Sequence, residues 1–238
     1  MALPKIEYPT YTIQLQSIKD PVRFRPFLVK EQKLLMMAVE STNPETIVGA
    51  LMQIINNCVV DEIDVTKLPL VDLEFFFLNL RARSVGENVD IYFKCKNIVE
   101  EKECDMVIDM SVDLLNEVQI INLAENKKIM FNNKVGALMR YPSINQLKIE
   151  DEDPVQVQVK LMVDCIDKIF DEESVIDADE SSEEELIEFV NNLSSNDYDK
   201  LLSFTKTTPT VQYSKKHNCP RCGFEHNMVL EGLNDFFL

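Results

Sequence analysis

Glycine is scarce in this chain of 238 residues, with five in all, and histidine is scarcer, with two. So few glycines leave little room for the Gly-rich phosphate cradles of nucleotide folds, and neither GxGxxG nor GxxxxGK followed by Ser or Thr occurs. Both histidines, His217 and His226, flank a single CxxC, so a histidine general base would have to neighbour that motif. GxSxG and HExxH are absent as well. Carboxylates are abundant, but abundance in an acidic chain is weak evidence for paired acid–base chemistry. The chain is read as a non-enzyme, with no catalytic residue assigned and no small-molecule substrate expected.

Positive charge is also in deficit: 24 Lys and Arg stand against 41 Asp and Glu, a net charge of −17. Phosphate contacts need clustered Lys and Arg, so nucleic acid is not an expected partner. Acidity of this degree favours solubility and steers a protein towards basic partners. No apolar run reaches the length of a bilayer span, and the opening MALPKIEYP lacks the charged and apolar regions of a signal peptide. The expected compartment is the cytosol. A hydrophobic content of 45% suffices to bury a sizeable core, in one domain or two closely joined ones.

What the chain does have is concentrated at its end, in HNCPRCGFEHNMVLEGLNDFFL, residues 217–238. Cys219-Pro220-Arg221-Cys222-Gly223 has the composition of a zinc knuckle: two thiols two residues apart, with Gly223 allowing a tight turn beneath them. A single CxxC supplies half of a structural site. Cys95 and Cys104 are the candidates for the other half, and an apolar run follows each pair (106–112 and 228–233). Two cysteine-bearing hairpins around one structural Zn2+ is the plan of a zinc ribbon. His217 and His226 are the alternative ligands, replacing Cys95 and Cys104 in a local finger. A redox CxxC would need a βαβ context that is missing here, and free thiols complete the alternatives. Cys58 and Cys165 lie on apolar faces of expected helices, as small hydrophobes.

The patterning predicts an α+β fold, helix-rich, with an N-terminal β-hairpin and a zinc-ribbon-like β element built from distant cysteine pairs. Residues 10–17 and 22–25 alternate in polarity around Asp20-Pro21, which reads as a hairpin. From Leu28 the period changes to that of a helix ending near Ser41. Asn43 then caps a second helix with Pro44 at its first position, and Ile47, Val48, Leu51, Ile54, Ile55 and Cys58 share its apolar face. A third helix follows Leu68-Pro69, with Leu73, Phe76, Phe77 and Leu80 inward. A β-rich stretch is expected over about 90–142, a helix from Val159 to Phe170, and two helices beyond the acidic stretch, near 186–192 and 195–206. The segments are 1–89 (hairpin plus helices), 90–150 (β-rich, first cysteine pair), 151–207 (helical, with an acidic linker at 171–185) and 208–238 (knuckle and apolar tail).

Residues 171–185, DEESVIDADESSEEE, hold nine carboxylates in fifteen positions. Counted as an EF-hand from Asp177, the loop has Ser182 where the turn requires Gly and Glu184 where an apolar residue belongs, so calcium binding is not expected. The reading is a solvated, mobile linker ending in a Ser182–Glu185 capping box. Arg23, Arg25, Lys30 and Lys33 form a rare basic island, expected to pair with the protein's own acidic surface, for instance that linker. Phe75 lies among three consecutive phenylalanines that cannot share one helix face, so it meets another element or a partner. Leu233, Phe236, Phe237 and Leu238 form an apolar tail that docks on its own core or on another chain. In an extended strand Phe236 and Phe237 would face opposite ways.

Three stretches together resemble one family. They are IxYPxYxxxL…PVRFRPFLVKEQKLLMMA near the start, EEEL…FVNNLSS after the acidic stretch, and CPRCGFEHNMVLEGLNDFF at the end. The chain is similar here to the baseplate hub assembly proteins of T-even-type contractile-tailed bacteriophages, most specifically at FRPFLVKEQK and in the terminal element. The resemblance implies an assembly factor or minor hub component, without enzymatic activity, whose partners are other phage baseplate hub proteins. It implies residence in the cytoplasm of the infected bacterial host, with the virion tail baseplate as the alternative site. Eight residues separate Cys95 from Cys104, where a typical zinc ribbon has a compact second knuckle. A zinc-ribbon regulatory adaptor, or a zinc hydrolase using Glu225 beside His226, are the competing readings.

Overall fold

The computed structural model describes residues 6–41, 44–124, 127–143, 153–207 and 209–237. Its first elements are β1 (Tyr11–Ile13), β2 (Val22–Phe24), α1 (Val29–Ser41), α2 (Pro44–Cys58) and α3 (Leu70–Ser84). The middle of the chain forms β3 (Asn88–Lys94), β4 (Ile98–Val99), β5 (Lys102–Glu103), β6 (Val107–Asp113), β7 (Gln119–Ile121), β8 (Lys128–Met130) and β9 (Gly136–Met139). Then come α4 (Pro154–Asp164), β10 (Ile166–Phe170), β11 (Val175–Asp177), α5 (Glu183–Asn191), α6 (Ser195–Lys206), β12 (Thr210–Asn218), β13 (Glu225–Glu231) and α7 (Gly232–Phe237). Mixed helix and small antiparallel sheets is therefore the architecture, with the N-terminal hairpin in place. The expected Asn43 cap lies outside the described residues.

The chain divides into two compact units. The first joins Met1–Val65, Val71–Ile121 and Thr210–Leu238, and the second joins Thr66–Leu70 and Asn122–Pro209.

In the first unit, β1 pairs antiparallel with β2, Ile13 opposite Val22 and Tyr11 opposite Phe24. Alternation places Ile13, Leu15, Val22 and Phe24 in the core, and the Phe24 ring meets that of Phe76 on α3 at 5.2 Å. The loop after β1 is tied by a fully buried carboxylate: Asp72 accepts the N–H groups of Gln16 (2.9 Å) and Ser17 (2.8 Å). Arg23, Arg25 and Lys30 of the basic island pair within their own unit, with Asp61 and Glu31. Arg23 reaches Asp61 at 2.6 Å, and Arg25 and Lys30 reach Glu31 at 3.1 and 3.4 Å. Glu31 is fully buried, which pushes its carboxyl up; hydrogen bonds from Arg25 and from the Leu28 N–H outweigh this and leave it below its ordinary value.

Further along, β3 and β6 form a seven-residue ladder, and β7, β12 and β13 form a sheet in the order β13-β12-β7. One apolar cluster joins them to α3: Leu78, Ala82, Met110, Val112, Val211, Tyr213, Leu230 and Phe236 are all buried. Each large side chain so buried is worth about 1.5–3 kcal/mol.

The second unit is built on the sheet β11-β10-β9-β8 with α4, α5 and α6 sharing its core. Two expectations are corrected here. The helix expected from Val159 to Phe170 stops at Asp164. Residues Ile166–Phe170 instead form β10, bonded to β9 on one side and β11 on the other. Two open ladders favour the extended form for these residues over a continued helix. The stretch 171–185 is not a plain linker: it carries β11 and a 3₁₀ turn at Ala178–Glu180, and ion pairs tether it. These run from Lys168 to Asp177, from Arg140 to Asp179 and from Lys134 to Glu172, each at 2.8 Å. It ends in the expected capping box of Ser182 and Glu185.

Candidate metal centre

Two hairpins of the first unit converge on four sulfurs. Cys95 follows β3 and Cys104 precedes β6, and the eight residues between them fold into the small β4–β5 hairpin. Its two-residue turn, Glu100-Glu101, has positive φ at both positions (48° and 65°), as the tightest hairpin turns demand. The long spacing is thereby absorbed, and the ends stay together: Cys95 donates its N–H to Met106 O (2.8 Å), and Asp105 donates to Cys95 O (3.0 Å). On the other side Cys219–Cys222 forms the turn between β12 and β13. Gly223, at φ 72°, adopts the left-handed conformation that closes it, and its N–H bonds Cys219 O at 2.9 Å.

The sulfurs of Cys95 and Cys222 are 3.7 Å apart, as are those of Cys104 and Cys219, and all four sulfurs lie within 4.8 Å of one another. A disulfide would hold sulfurs at about 2.05 Å, so these are four separate thiols. A tetrahedral zinc with Zn–S bonds of about 2.3 Å requires S–S edges of about 3.8 Å. The four cysteines thus form a donor set that fits one soft, tetrahedral ion, and Cys95, Cys104 and Cys219 are buried.

Backbone amides prepare three of these sulfurs to carry charge. Cys95 takes the N–H of Asn97, Cys104 that of Met106 and Cys222 that of Phe224, the same two-residue offset each time. Burial pushes the Cys95 thiol up to about 12 and raises that of Cys104, while the Phe224 N–H draws Cys222 down to about 6. The Phe224 amide favours the thiolate form of Cys222, the form in which a cysteine ligates metal. Asn97 also offers its side-chain amide to Cys222 at 3.6 Å, and Arg221 donates to Cys104 O at 2.8 Å.

The two histidines take other positions. His226 Nε2 lies 3.1 Å from Cys95 Sγ, so it touches a sulfur of the cluster from outside. Its ring sits edge-on to Phe93 and Phe224. His217 faces His226 across the β12–β13 ladder and stands edge-on to Phe93. Cys58 and Cys165 are buried far from the cluster in sequence, and burial pushes their thiols up to about 11 and about 12.

The apolar tail is a helix, α7, and not the extended strand expected, so the opposed facing of Phe236 and Phe237 does not apply. Gly232, at φ 67°, turns the chain out of β13. Phe236 is 4% exposed in the first unit's own core, and Leu233 and Phe75 are half-buried against the same cluster. The side chains of Phe237 and Leu238 lie outside the described residues. Sequence reasoning missed the group that anchors this helix: Glu74 on α3, 8% exposed, accepts the Leu233 N–H at 3.4 Å. Glu74, a carboxylate set between Leu73 and the run Phe75-Phe76-Phe77, was the available signal.

The family model described as T4 bacteriophage base plate protein matches residues 8–238. The baseplate hub assembly protein gp26 of Enterobacteria phage T4 is 26% identical to this chain over 221 residues, covering 91% of this chain and 92% of that protein. No solved structure matches.

Proposed function

The chain belongs to the T4 bacteriophage base plate protein family, and from that premise we propose that it is a baseplate hub assembly factor or minor hub component. It works by binding other hub proteins and not by turnover. The observation that carries this reading is the near end-to-end correspondence with a relative whose name states hub assembly. The site of action is the cytoplasm of the infected host, where the hub is built, with the virion tail baseplate as the destination if the protein stays bound.

Within this proposal Cys95, Cys104, Cys219 and Cys222 hold one structural Zn2+. A four-thiolate set is closed, whereas a catalytic zinc keeps a position open for water. Glu225, the carboxylate a hydrolase would need, is exposed and pairs with Lys216 at 2.8 Å. Both points support a structural ion. Leu233 and Phe236 anchor the tail internally, and the contact that the tail makes with a partner is assigned to Phe237 and Leu238, together with the half-buried Phe75.

Co-expression with phage baseplate hub subunits, followed by pull-down on a tagged chain, tests the role. Co-purification of a hub subunit at a constant ratio is the expected result. Recovery of the tagged chain alone, with every hub subunit present and soluble, would overturn it.

A further inference from the structure

Helix α1 buries one side and leaves the other uncovered. Glu31 and Ala38 are 0% and 2% exposed, whereas Val29, Met36 and Met37 are 66%, 58% and 67% exposed. Lys33 and Glu40 are exposed too, and neither has an ion-pair partner among the described residues. Positions 33, 36, 37 and 40 follow the i, i+3, i+4, i+7 spacing of a single helix face. Their order is Lys, Met, Met, Glu, so opposite charges stand at equal distances from the midpoint of Met36 and Met37.

We propose that this face binds a second copy of the chain, as an antiparallel α1–α1 contact on a two-fold axis. A two-fold interface pairs each residue i with a residue j of the partner, and j with i. With the axis between Met36 and Met37, Met36 of one copy meets Met37 of the other, and Lys33 of each copy meets Glu40 of the other. Two reciprocal ion pairs then close over four methionines. The thioether side chains are unbranched and adapt to each other across a close helix pair. A charge pattern complementary to itself when reversed commits the face to this occupant, since a parallel pairing would set Lys against Lys and Glu against Glu. Two helical turns per copy make a small contact, in the transient class below roughly 1,200 Å². The self-repulsion of chains of net charge −17 limits it further.

Sedimentation velocity of the full chain, from micromolar to near-millimolar concentration, tests this. The wild type is expected to shift reversibly from monomer to dimer. Lys33→Glu places Glu opposite Glu twice and should weaken the dimer about tenfold or more, a change of about 1.4 kcal/mol. Lys33→Glu with Glu40→Lys restores complementarity and should recover the dimer, while Met37→Glu should abolish it. All these side chains are exposed, so the variants keep the monomer fold, checked by unchanged circular dichroism and melting. A wild type that stays monomeric throughout overturns the proposal. So does a dimer indifferent to both Lys33→Glu and Met37→Glu, which would use another face. So does a hub subunit that Met37→Glu releases while the chain alone never self-associates.

Discussion

Cys95 and Cys222 are 127 positions apart in the chain, and their sulfurs are 3.7 Å apart. Cys104 and Cys219 repeat the relationship across 115 positions. These two crossings tie the β3–β6 ladder to the β12–β13 ladder at their tips, where the surrounding apolar cluster is small: Ile108 is the one fully buried side chain that is not a cysteine. An ion shared by the four thiolates would supply there the cohesion that apolar area does not.

Zinc removal and loss of a ligand should therefore have the same effect. Cys219→Ser is expected to lower the unfolding free energy by several kcal/mol, because binding to a structural site is folding free energy. A strong chelator should bring the wild type down to the level of the variant and leave the variant itself unchanged. Metal analysis should give about one zinc per chain in the wild type. Glu225→Gln, on an exposed pair, should stay within about 0.5 kcal/mol of the wild type. A melting curve insensitive to chelator would remove the structural metal from the account.

The tail should behave as core. Phe236→Ala empties a site that is 4% exposed and is expected to cost about 3–5 kcal/mol. Truncation after Gly232 should cost at least as much, read from denaturant unfolding. Removing Phe237 and Leu238 alone should leave stability nearly intact and weaken the recovery of hub partners.

Glu74 gives a pH signature. Burial raises its carboxyl above the ordinary 4.5, against the Leu233 and Val211 amides, with Glu231 adding to the rise. The folded state thus holds this proton more tightly than the unfolded state does. Its contribution is favourable below about pH 4.5 and is lost as pH rises through the raised value, so at neutral pH the ionised group costs stability. Glu74→Gln keeps an oxygen for the Leu233 N–H and should raise Tm at pH 7. The gap between variant and wild type should close by about pH 4. A Tm lowered by Glu74→Gln at pH 7 would mean that the charge itself holds α7.

Much of this was legible because its causes are local. The N-terminal hairpin, α1 to α3, the Ser182–Glu185 box and α6 follow from turn residues, caps and period within a dozen positions. CxxC followed by Gly announced the tight cysteine turn for the same reason. What misled was long-range. Val159, Met162, Val163, Ile166, Ile169 and Phe170 keep helical spacing to the end, yet β9 and β11 supply two ladders that the sequence around 166–170 does not reveal. The pairing of β12 with β7 sets Val211 opposite Ile120, 91 positions apart, and nothing near either strand specifies it. In the tail, Gly232 sets a left-handed turn into a helix, and its anchor, Glu74, lies 159 positions away from Leu233.

The proposed promotion of hub assembly by binding is read most directly from the yield of hub complex with and without the chain. Hub subunits co-expressed alone and with the chain would be separated by sedimentation, and the fast-migrating hub fraction quantified. A higher yield with the wild type, co-migration of the chain with hub subunits, and loss of both with Cys219→Ser are expected. An equal yield in the chain's absence, with the chain remaining at the top of the gradient, would contradict the proposal.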